Sequence, residues 1–224
     1  MSYLPILLVG FLGPGATMVF LQLLYRSKVG QEHMISDDPH RSVSDAKLYK
    51  DIALNIAVSV SLIVGIVVVF GDRLFYTREV PLWMKLVEAA GAIFIYDFVY
   101  YFVHRYPFHE WRLLRSVHAV HHAARNPRSI DSLLLHPLET VIGLSLFFGS
   151  MAAVGGVHIT TFAVFFFTYN VFNIFNHAGV SVPHFPLRTM GILAEKHDRH
   201  HHSMLSGNYS SISPLPDIVF GTVE

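Results

Sequence analysis

The sequence predicts an all-α, multi-span membrane helical bundle with a histidine-rich helical cap on its cytoplasmic face. Apolar residues make up 52% of the 224 residues and charged residues only 14%, whereas soluble domains carry about 25% charged residues. The mean hydropathy is +0.44, and the apolar residues gather in long runs. These observations indicate an integral membrane protein.

The composition also limits the chemistry. The formal net charge of zero gives no indication of a nucleic-acid partner. Because the chain has no cysteine, disulfides, thiolate nucleophiles, iron–sulfur clusters and cysteine-type zinc sites are excluded. Histidine is the residue in excess, with 15 copies, most of them clustered.

Hydropathy indicates about five spans, since a helix needs about 20 residues to cross the hydrocarbon. They cover residues 3–25, 52–70, 82–103, 138–157 and 159–176. The first run has an alternative interpretation as a signal peptide, but it lacks a basic n-region and a clear cleavage site, which favours a retained span. The last two runs are so close that they must form a hairpin, and a polar tail follows them.

This topology places every histidine cluster on one membrane face. The loops 26–51 and 104–137 and the tail after residue 177 share that face and carry 13 of the 16 lysines and arginines. The remaining three are Arg73, Arg78 and Lys85. By the positive-inside rule, the face with the histidines and the C-terminus is cytoplasmic.

Two histidine triplets repeat the spacing i, i+3, i+4, which places three side chains on one face of a helix. They are His118, His121 and His122, and His197, His200 and His201. Neutral imidazole is a ligand for iron, zinc, copper and nickel. Both triplets therefore predict metal ligands that face a shared centre, whereas His202 would point away from it.

Further candidates lie near the triplets. His104 and His109 flank Pro107, which disfavours a continuous helix. We interpret His104 as the last turn of a span and His109 as the start of the next helix. His177 emerges on the same face at the end of the fifth span. His136, at the start of the fourth span, is either a ligand or a partner of one.

Asp97 lies seven residues before His104, on the same face of an apolar span. A carboxylate within the membrane is a functional-site hypothesis by default. We expect it to orient His104 through the far ring nitrogen. A carboxylate that is protonated or paired within the bundle is the alternative.

Several motifs occur in a fixed order from about residue 85 to the end. They are Asp97–Arg105 (DFVYYFVHR), His109-Glu110, His118–His122 (HAVHH), His136–Glu139 (HPLE), His177–Gly179 (HAG), His197–His201 (HDRHH), Asn208-Tyr209 and Asp217–Thr222 (DIVFGT). Together they resemble the fatty acid hydroxylase/sterol desaturase superfamily of membrane di-iron enzymes. The chain departs from that pattern at Pro216, where members often have tryptophan, and at Asn173, where some have another histidine.

The resemblance implies a catalytic domain at residues 81–224, preceded by N-terminal membrane spans and a cytoplasmic loop at residues 1–80. It implies two iron ions held mainly by histidine, with Glu139 beside the ligands, and dioxygen as cosubstrate. The reaction would be hydroxylation or desaturation of a C–H bond in a fatty acyl, sphingolipid or sterol-like lipid, with electrons from a separate electron-transfer protein. The aromatic residues considered for a substrate channel are Phe165, Phe166, Phe167, Tyr100 and Tyr101.

Two other classes remain open. A zinc-dependent membrane hydrolase would hold its zinc with three protein ligands and a water. A non-catalytic metal-binding or haem-binding membrane protein would use one or two axial histidines for haem. The metal content per chain separates these classes from a di-iron enzyme.

Overall fold

The computed structural model describes residues 4–36, 40–184 and 187–224 and confirms the predicted all-α membrane bundle. The α-helices are α1 (Leu4–Arg26), α2 (Lys28–Glu32), α3 (Asp45–Leu74), α4 (Leu82–Val103), α5 (Arg112–His118), α6 (Pro137–Ala153), α7 (Ile159–Asn176), α8 (Leu187–His201) and α9 (Leu215–Phe220). A π-helix covers His104–Glu110, and 3-10 helices cover His121–Ala123 and Ser129–Leu133. The strands are β1 (His40–Arg41), β2 (Phe75–Tyr76), β3 (Ala124–Arg125) and β4 (Val157–His158).

Four helices in the described residues are long and apolar enough to cross a membrane. They are Leu8–Arg26, Asp45–Leu74, Leu82–Glu110 and Ile159–Asn176. The predicted span 138–157 is a shorter helix, α6, of 17 residues. It ends early because Gly155 and Gly156 both have a φ of 87°, a left-handed conformation that glycine adopts without strain. At 1.5 Å per residue, α6 is about 25 Å long.

The helices pack around an aromatic centre. α1 lies along α7, α3 lies along α6, and α4 contacts both α6 and α7. The buried core between α4, α6 and α7 includes Tyr96, Phe147, Met151 and Phe165, which are at most 1% exposed. α1 and α3 therefore flank the central helices on their outer sides.

Short strand pairings close the two ends of the bundle. At one end β2 pairs in parallel with β4, beside the turn that joins α6 to α7. At the other end β1 pairs antiparallel with β3, and Met34 forms a bridge with Val180. Loop 26–51, loop 104–137 and the segment after residue 177 consequently share one end, as the topology predicted. We call it the histidine end, and the end with β2 and β4 the opposite end.

The expected break between His104 and His109 is wrong. The chain stays helical through Pro107, in the wider turn of a π-helix, and the next helix begins only at Arg112. Proline has no N–H to donate, and π-bulges occur where the i→i−4 ladder is interrupted. The i→i+5 repeat of a π-helix brings His104 and His109 onto one face.

The expected single helix through the first triplet is also wrong. α5 ends at His118, a turn follows, and His121 and His122 begin a 3-10 helix. The second triplet does lie on one helix, α8, which runs to His201. The same spacing is therefore carried by a broken backbone in one triplet and a continuous helix in the other.

Candidate metal centre

The nine histidines predicted as metal ligands lie together at the histidine end, in two adjacent groups. The five-histidine group contains His104, His109, His118, His122 and His200, and the four-histidine group contains His121, His177, His197 and His201. Within each group the candidate ligand atoms all lie within 4.8 Å of one another. The groups are neighbours, since the rings of His122 and His201 stack with centroids 4.6 Å apart.

Each triplet contributes to both groups instead of facing one shared centre. His118 and His122 belong to the five-histidine group, whereas His121 belongs to the other. In α8, His200 belongs to the five-histidine group, whereas His197 and His201 belong to the four-histidine group. The two chain segments thus hold the two groups side by side.

In the five-histidine group, the Nε2 atoms converge. Nε2 of His104 lies 2.9 Å from Nε2 of His118 and 3.3 Å from Nε2 of His109. It also lies 3.2 Å from Nε2 of His200, which is 3.1 Å from Nε2 of His122. Nitrogen ligands about 2.1 Å from a metal and at right angles to each other would be roughly 3.0 Å apart. The spacing fits a metal site.

The four-histidine group has the same spacing. Nε2 of His177 lies 3.1 Å from Nε2 of His121 and 3.0 Å from Nε2 of His197. Nε2 of His197 lies 3.1 Å from Nε2 of His201. The spacing of this group therefore also fits a metal site.

Hydrogen bonds to the far ring nitrogens determine the tautomer. Nδ1 of His104 donates to the carbonyl of Tyr209 at 2.6 Å, and Nδ1 of His200 donates to the carbonyl of Gly207 at 2.7 Å. His109, His121, His177 and His201 donate in the same way to the carbonyls of Met204, Leu134, Asn173 and Ala124. A carbonyl only accepts, so Nδ1 carries the proton and the Nε2 lone pair is free for a metal.

Glu139 supplies the carboxylate beside the ligands that the resemblance implied. Its Oε1 accepts from Nδ1 of His118 at 2.8 Å. The other oxygen, Oε2, is buried and has no hydrogen-bond partner among the described residues. Nδ1 of His122 is also buried and has no hydrogen-bond partner among the residues that the structure describes.

Burial keeps these imidazoles neutral. Burial and neighbouring histidines hold the pKa values of His118, His200 and His201 well below their usual range. Burial also lowers the pKa of His121 to about 3 and that of His177 to about 4. Because only the neutral ring binds a metal, the groups are ready to coordinate near neutral pH.

Asp97 does not contact His104, so the expected partner is wrong. Its carboxylate accepts from the backbone N–H groups of Ser211, Ile212 and Ser213 at 3.3, 2.9 and 3.1 Å. It also accepts from the Ser213 hydroxyl at 2.6 Å. Asp97 therefore anchors the segment that follows Tyr209, whose carbonyl holds His104, and it acts on that histidine only through the backbone.

His136 belongs to neither group, which corrects its assignment as a ligand. It caps α6, because its Nδ1 accepts from the backbone N–H of Leu138 at 3.1 Å. His202 also lies outside both groups, as predicted. Its Nε2 contacts Asp198 and Asn126 at the surface.

A buried network that the sequence did not predict holds α8 in place. Lys196 forms a buried ion pair with Asp217 at 2.6 Å, and Asp217 accepts from the backbone N–H groups of Tyr209 and Ser210. This network ties α8 to the segment that holds His104. The sequence indicates Asp217 only as part of a motif, because tertiary contacts determine its ion-pair and hydrogen-bond partners.

A cavity of about 400 Å³ extends from the histidines into the bundle. Its lining includes His104, His121 and His197, and residues of α1, α3, α4, α6 and α7 form its walls. Of the five aromatic residues considered for a channel, Tyr100 and Phe166 line this cavity. Phe165 packs in the core, and Tyr101 stacks on Phe220.

Comparisons with known proteins agree with the motifs. The family model described as fatty acid hydroxylase matches residues 89–222. Methylsterol monooxygenase 1 of Gallus gallus is 32% identical over 149 residues, which are 65% of this chain and 49% of that protein. Very-long-chain aldehyde decarbonylase of Oryza sativa subsp. indica is 28% identical over 147 residues, which are 63% of this chain and 56% of that protein.

The chain spans about half the length of the curated relatives it matches. No solved structure matches it. The family model nevertheless covers more than half of the chain, including all nine clustered histidines, Asp97 and Glu139. On these grounds the chain belongs to the fatty acid hydroxylase family, in the fatty acid hydroxylase/sterol desaturase superfamily.

Proposed function

We propose that this chain is an iron- and dioxygen-dependent membrane oxidoreductase that hydroxylates or desaturates a C–H bond of a lipid. One observation carries the proposal: two adjacent histidine groups with free Nε2 lone pairs meet an apolar-walled cavity inside a membrane bundle. The known relatives include a methylsterol monooxygenase and a very-long-chain aldehyde decarbonylase, and both names refer to lipids.

In this proposal each group binds one iron ion. The five-histidine group and the four-histidine group offer neutral nitrogen ligands, which suit iron. Bound iron would supply the activation of dioxygen and the oxidation of an unactivated carbon. The protein holds the Nε2 atoms in place through the carbonyls on their Nδ1 atoms, and the buried position excludes bulk water.

We propose that the cavity holds the lipid substrate, since its volume lies in the range of about 300–1,000 Å³ for small-molecule sites. Phe11 of α1 and Ile56 and Val60 of α3 line it and are also 48–55% exposed on the outside of the bundle. A lipid would thus enter sideways from the bilayer between α1 and α3. Asn170 and Asn173 line the same cavity and offer amides to a polar group of the substrate.

Hydroxylation with dioxygen needs two electrons and two protons in addition to those of the substrate, because the second oxygen atom leaves as water. We propose that a separate electron-transfer protein supplies the electrons at the histidine end. We further propose that this end faces the cytoplasm, because 13 of the 16 lysines and arginines lie on its side.

The metal content of purified protein tests the proposal. We expect about two iron ions per chain, whereas one zinc per chain or a haem absorption band would reject it in favour of the other two classes. Lipid mass spectrometry of membranes with and without the protein should then reveal a gain of one oxygen or a loss of two hydrogens. Membranes containing His201→Ala protein are the matched control for that comparison.

Sidedness has its own test, made simple because the chain has no native cysteine. Ser42 is exposed at the histidine end and Glu79 is exposed at the opposite end. In intact cells, Ser42→Cys should resist a membrane-impermeant thiol reagent and Glu79→Cys should react. The reverse pattern would place the histidine end outside the cytoplasm.

A further inference from the structure

The short helix α9 has its polar and apolar faces reversed relative to a helix in water. Asp217, its charged residue, is fully buried against the protein. Leu215, Ile218 and Val219 point outward and are 43, 62 and 56% exposed. A surface helix of a soluble protein buries its apolar side. A contiguous exposed apolar face is instead typical of a partner or membrane contact.

α9 lies beside the membrane-spanning part of α4. The ring of Phe220 is centred 5.0 Å from that of Tyr101, 5.0 Å from that of Phe102 and 6.3 Å from that of Phe98. All three belong to the candidate span Leu82–Glu110. The outer face of α9 is therefore continuous with an apolar helix surface that must itself contact lipid.

The path of the chain goes into the bundle and returns. It starts at Tyr209, whose carbonyl binds His104. The Ser213 hydroxyl then donates to Asp97. Asp97 precedes His104 by seven residues in the span and therefore lies about 10 Å deeper than His104. The chain comes back at Thr222, whose hydroxyl lies 3.2 Å from the hydroxyl of Tyr101.

The hydrogen bonds of Asp97 explain how the bundle accommodates this non-helical segment. Non-helical backbone at membrane depth is acceptable only when the protein satisfies its polar groups, since hydrocarbon offers them no hydrogen-bond partners. The three consecutive N–H groups of Ser211, Ile212 and Ser213 all donate to the Asp97 carboxylate. Asp97, an acidic residue inside an apolar span, thus satisfies the backbone N–H groups of this irregular segment.

We infer that residues 211–220 form a re-entrant lipid segment, which dips into the bilayer from the histidine end. Its occupant is the acyl region of the lipid bilayer, in contact with Leu215, Ile218 and Val219. The position of this segment in the membrane does not depend on a bound metal or on the reaction.

Site-directed spin labelling of the full chain in phosphatidylcholine and phosphatidylglycerol vesicles tests this inference. A nitroxide is attached at Ile218→Cys and, in a second protein, at Val219→Cys. Its collisions with oxygen, which concentrates in lipid, are compared with those of a water-soluble nickel chelate. Val99→Cys on the exposed side of α4 is the lipid control, and Lys28→Cys, with a 91% exposed side chain, is the water control.

We expect the ratio of oxygen to nickel collisions at both α9 positions to match Val99→Cys and to exceed Lys28→Cys several-fold. A ratio like that of Lys28→Cys would overturn the inference by placing α9 in water. Low collision rates with both reagents, with an immobilised label, would also overturn it, because they would indicate a covering protein. The two positions serve as replicates in case one variant fails to fold.

Discussion

Each end of the bundle buries a histidine, but the direction of the hydrogen bonds differs. His118 at the histidine end and His158 at the opposite end are both 0% exposed. Nδ1 of His158 accepts from the backbone N–H of Thr160 at 3.1 Å and caps α7. By contrast, Nδ1 of His118 donates to the Glu139 carboxylate, and its Nε2 lies 2.9 Å from Nε2 of His104. The direction of the Nδ1 bond separates a candidate ligand from a cap better than burial does.

A single carboxylate from α4 organises each end. At the opposite end, Glu88 accepts from the Tyr76 hydroxyl, from the backbone N–H of His158 at 2.9 Å and from the Thr161 hydroxyl at 3.1 Å. At the histidine end, Asp97 accepts from the segment after Tyr209. Both acids hold irregular backbone against a span, and Asp97 also lies next to the segment that positions the candidate ligand His104.

The largest expected effect separates the histidines of the two ends. His201→Ala removes an Nε2 atom from the four-histidine group, and we expect it to lose most of the iron and the activity. His202→Ala and His158→Ala should retain both, because neither side chain belongs to a group. Iron per chain, measured on purified proteins, checks the three variants side by side.

Equal iron loss in His202→Ala and His201→Ala would contradict the assignment of the ligands on α8. Iron loss in His158→Ala at normal protein yield would contradict the comparison of the two ends. Circular dichroism of each variant excludes unfolding as the cause of a loss.

A smaller effect is expected from Asp97→Asn. The amide NH₂ would face N–H or O–H donors that now bond to a carboxylate oxygen, and an unsatisfied buried donor costs about 1–3 kcal/mol. The segment after Tyr209 should loosen, so that thermal stability falls and iron affinity decreases about 10–100-fold, as for other supports of metal ligands. Asp97→Glu is a control that keeps the charge. Unchanged stability and iron content in Asp97→Asn would limit this residue to packing.

Local signals explain how much of this organisation was predictable. The spans follow from hydropathy, because a chain in hydrocarbon must satisfy its own backbone and therefore forms helices. The nine histidines follow from spacing and from a topology that puts them at one end. Both signals depend on neighbours in the sequence, which is why they predict the bundle and the members of the groups.

Long-range contacts explain the rest. The break after His118 has no glycine or proline to mark it, since Ala119 and Val120 follow directly. The partners of Asp97 lie 114–116 residues away along the chain. The tertiary structure determines such partners, and no periodic pattern predicts them. His136 is the exception, because it bonds to the nearby Leu138 and because Pro137 at the first helical position already indicates that a helix begins there.

Glu139 offers a test of geometry against charge at the histidine end. Glu139→Ala removes the acceptor for Nδ1 of His118, and we expect iron affinity to fall about 10–100-fold. Glu139→Gln keeps a carbonyl acceptor without the negative charge, so its loss should be smaller. Competition with a chelator measures both affinities. Equal losses in the two variants would indicate that the charge is what matters, and no loss in either would exclude a role for this bond.

The smallest effect is expected at the opposite end, from Tyr76. Burial and the hydrogen bond to Glu88 raise the pKa of the Tyr76 phenol from 10.0 to about 12. A raised pKa means that folding favours the protonated phenol, so this stabilisation is present below pH 10 and is lost as the pH rises towards 12. Tyr76→Phe has no proton to lose. The thermal midpoint of the wild-type chain should therefore fall more steeply than that of Tyr76→Phe in this range, with equal iron content at neutral pH. Parallel curves would show that the bond to Glu88 contributes no stability, and iron loss in Tyr76→Phe would show that the two ends are coupled.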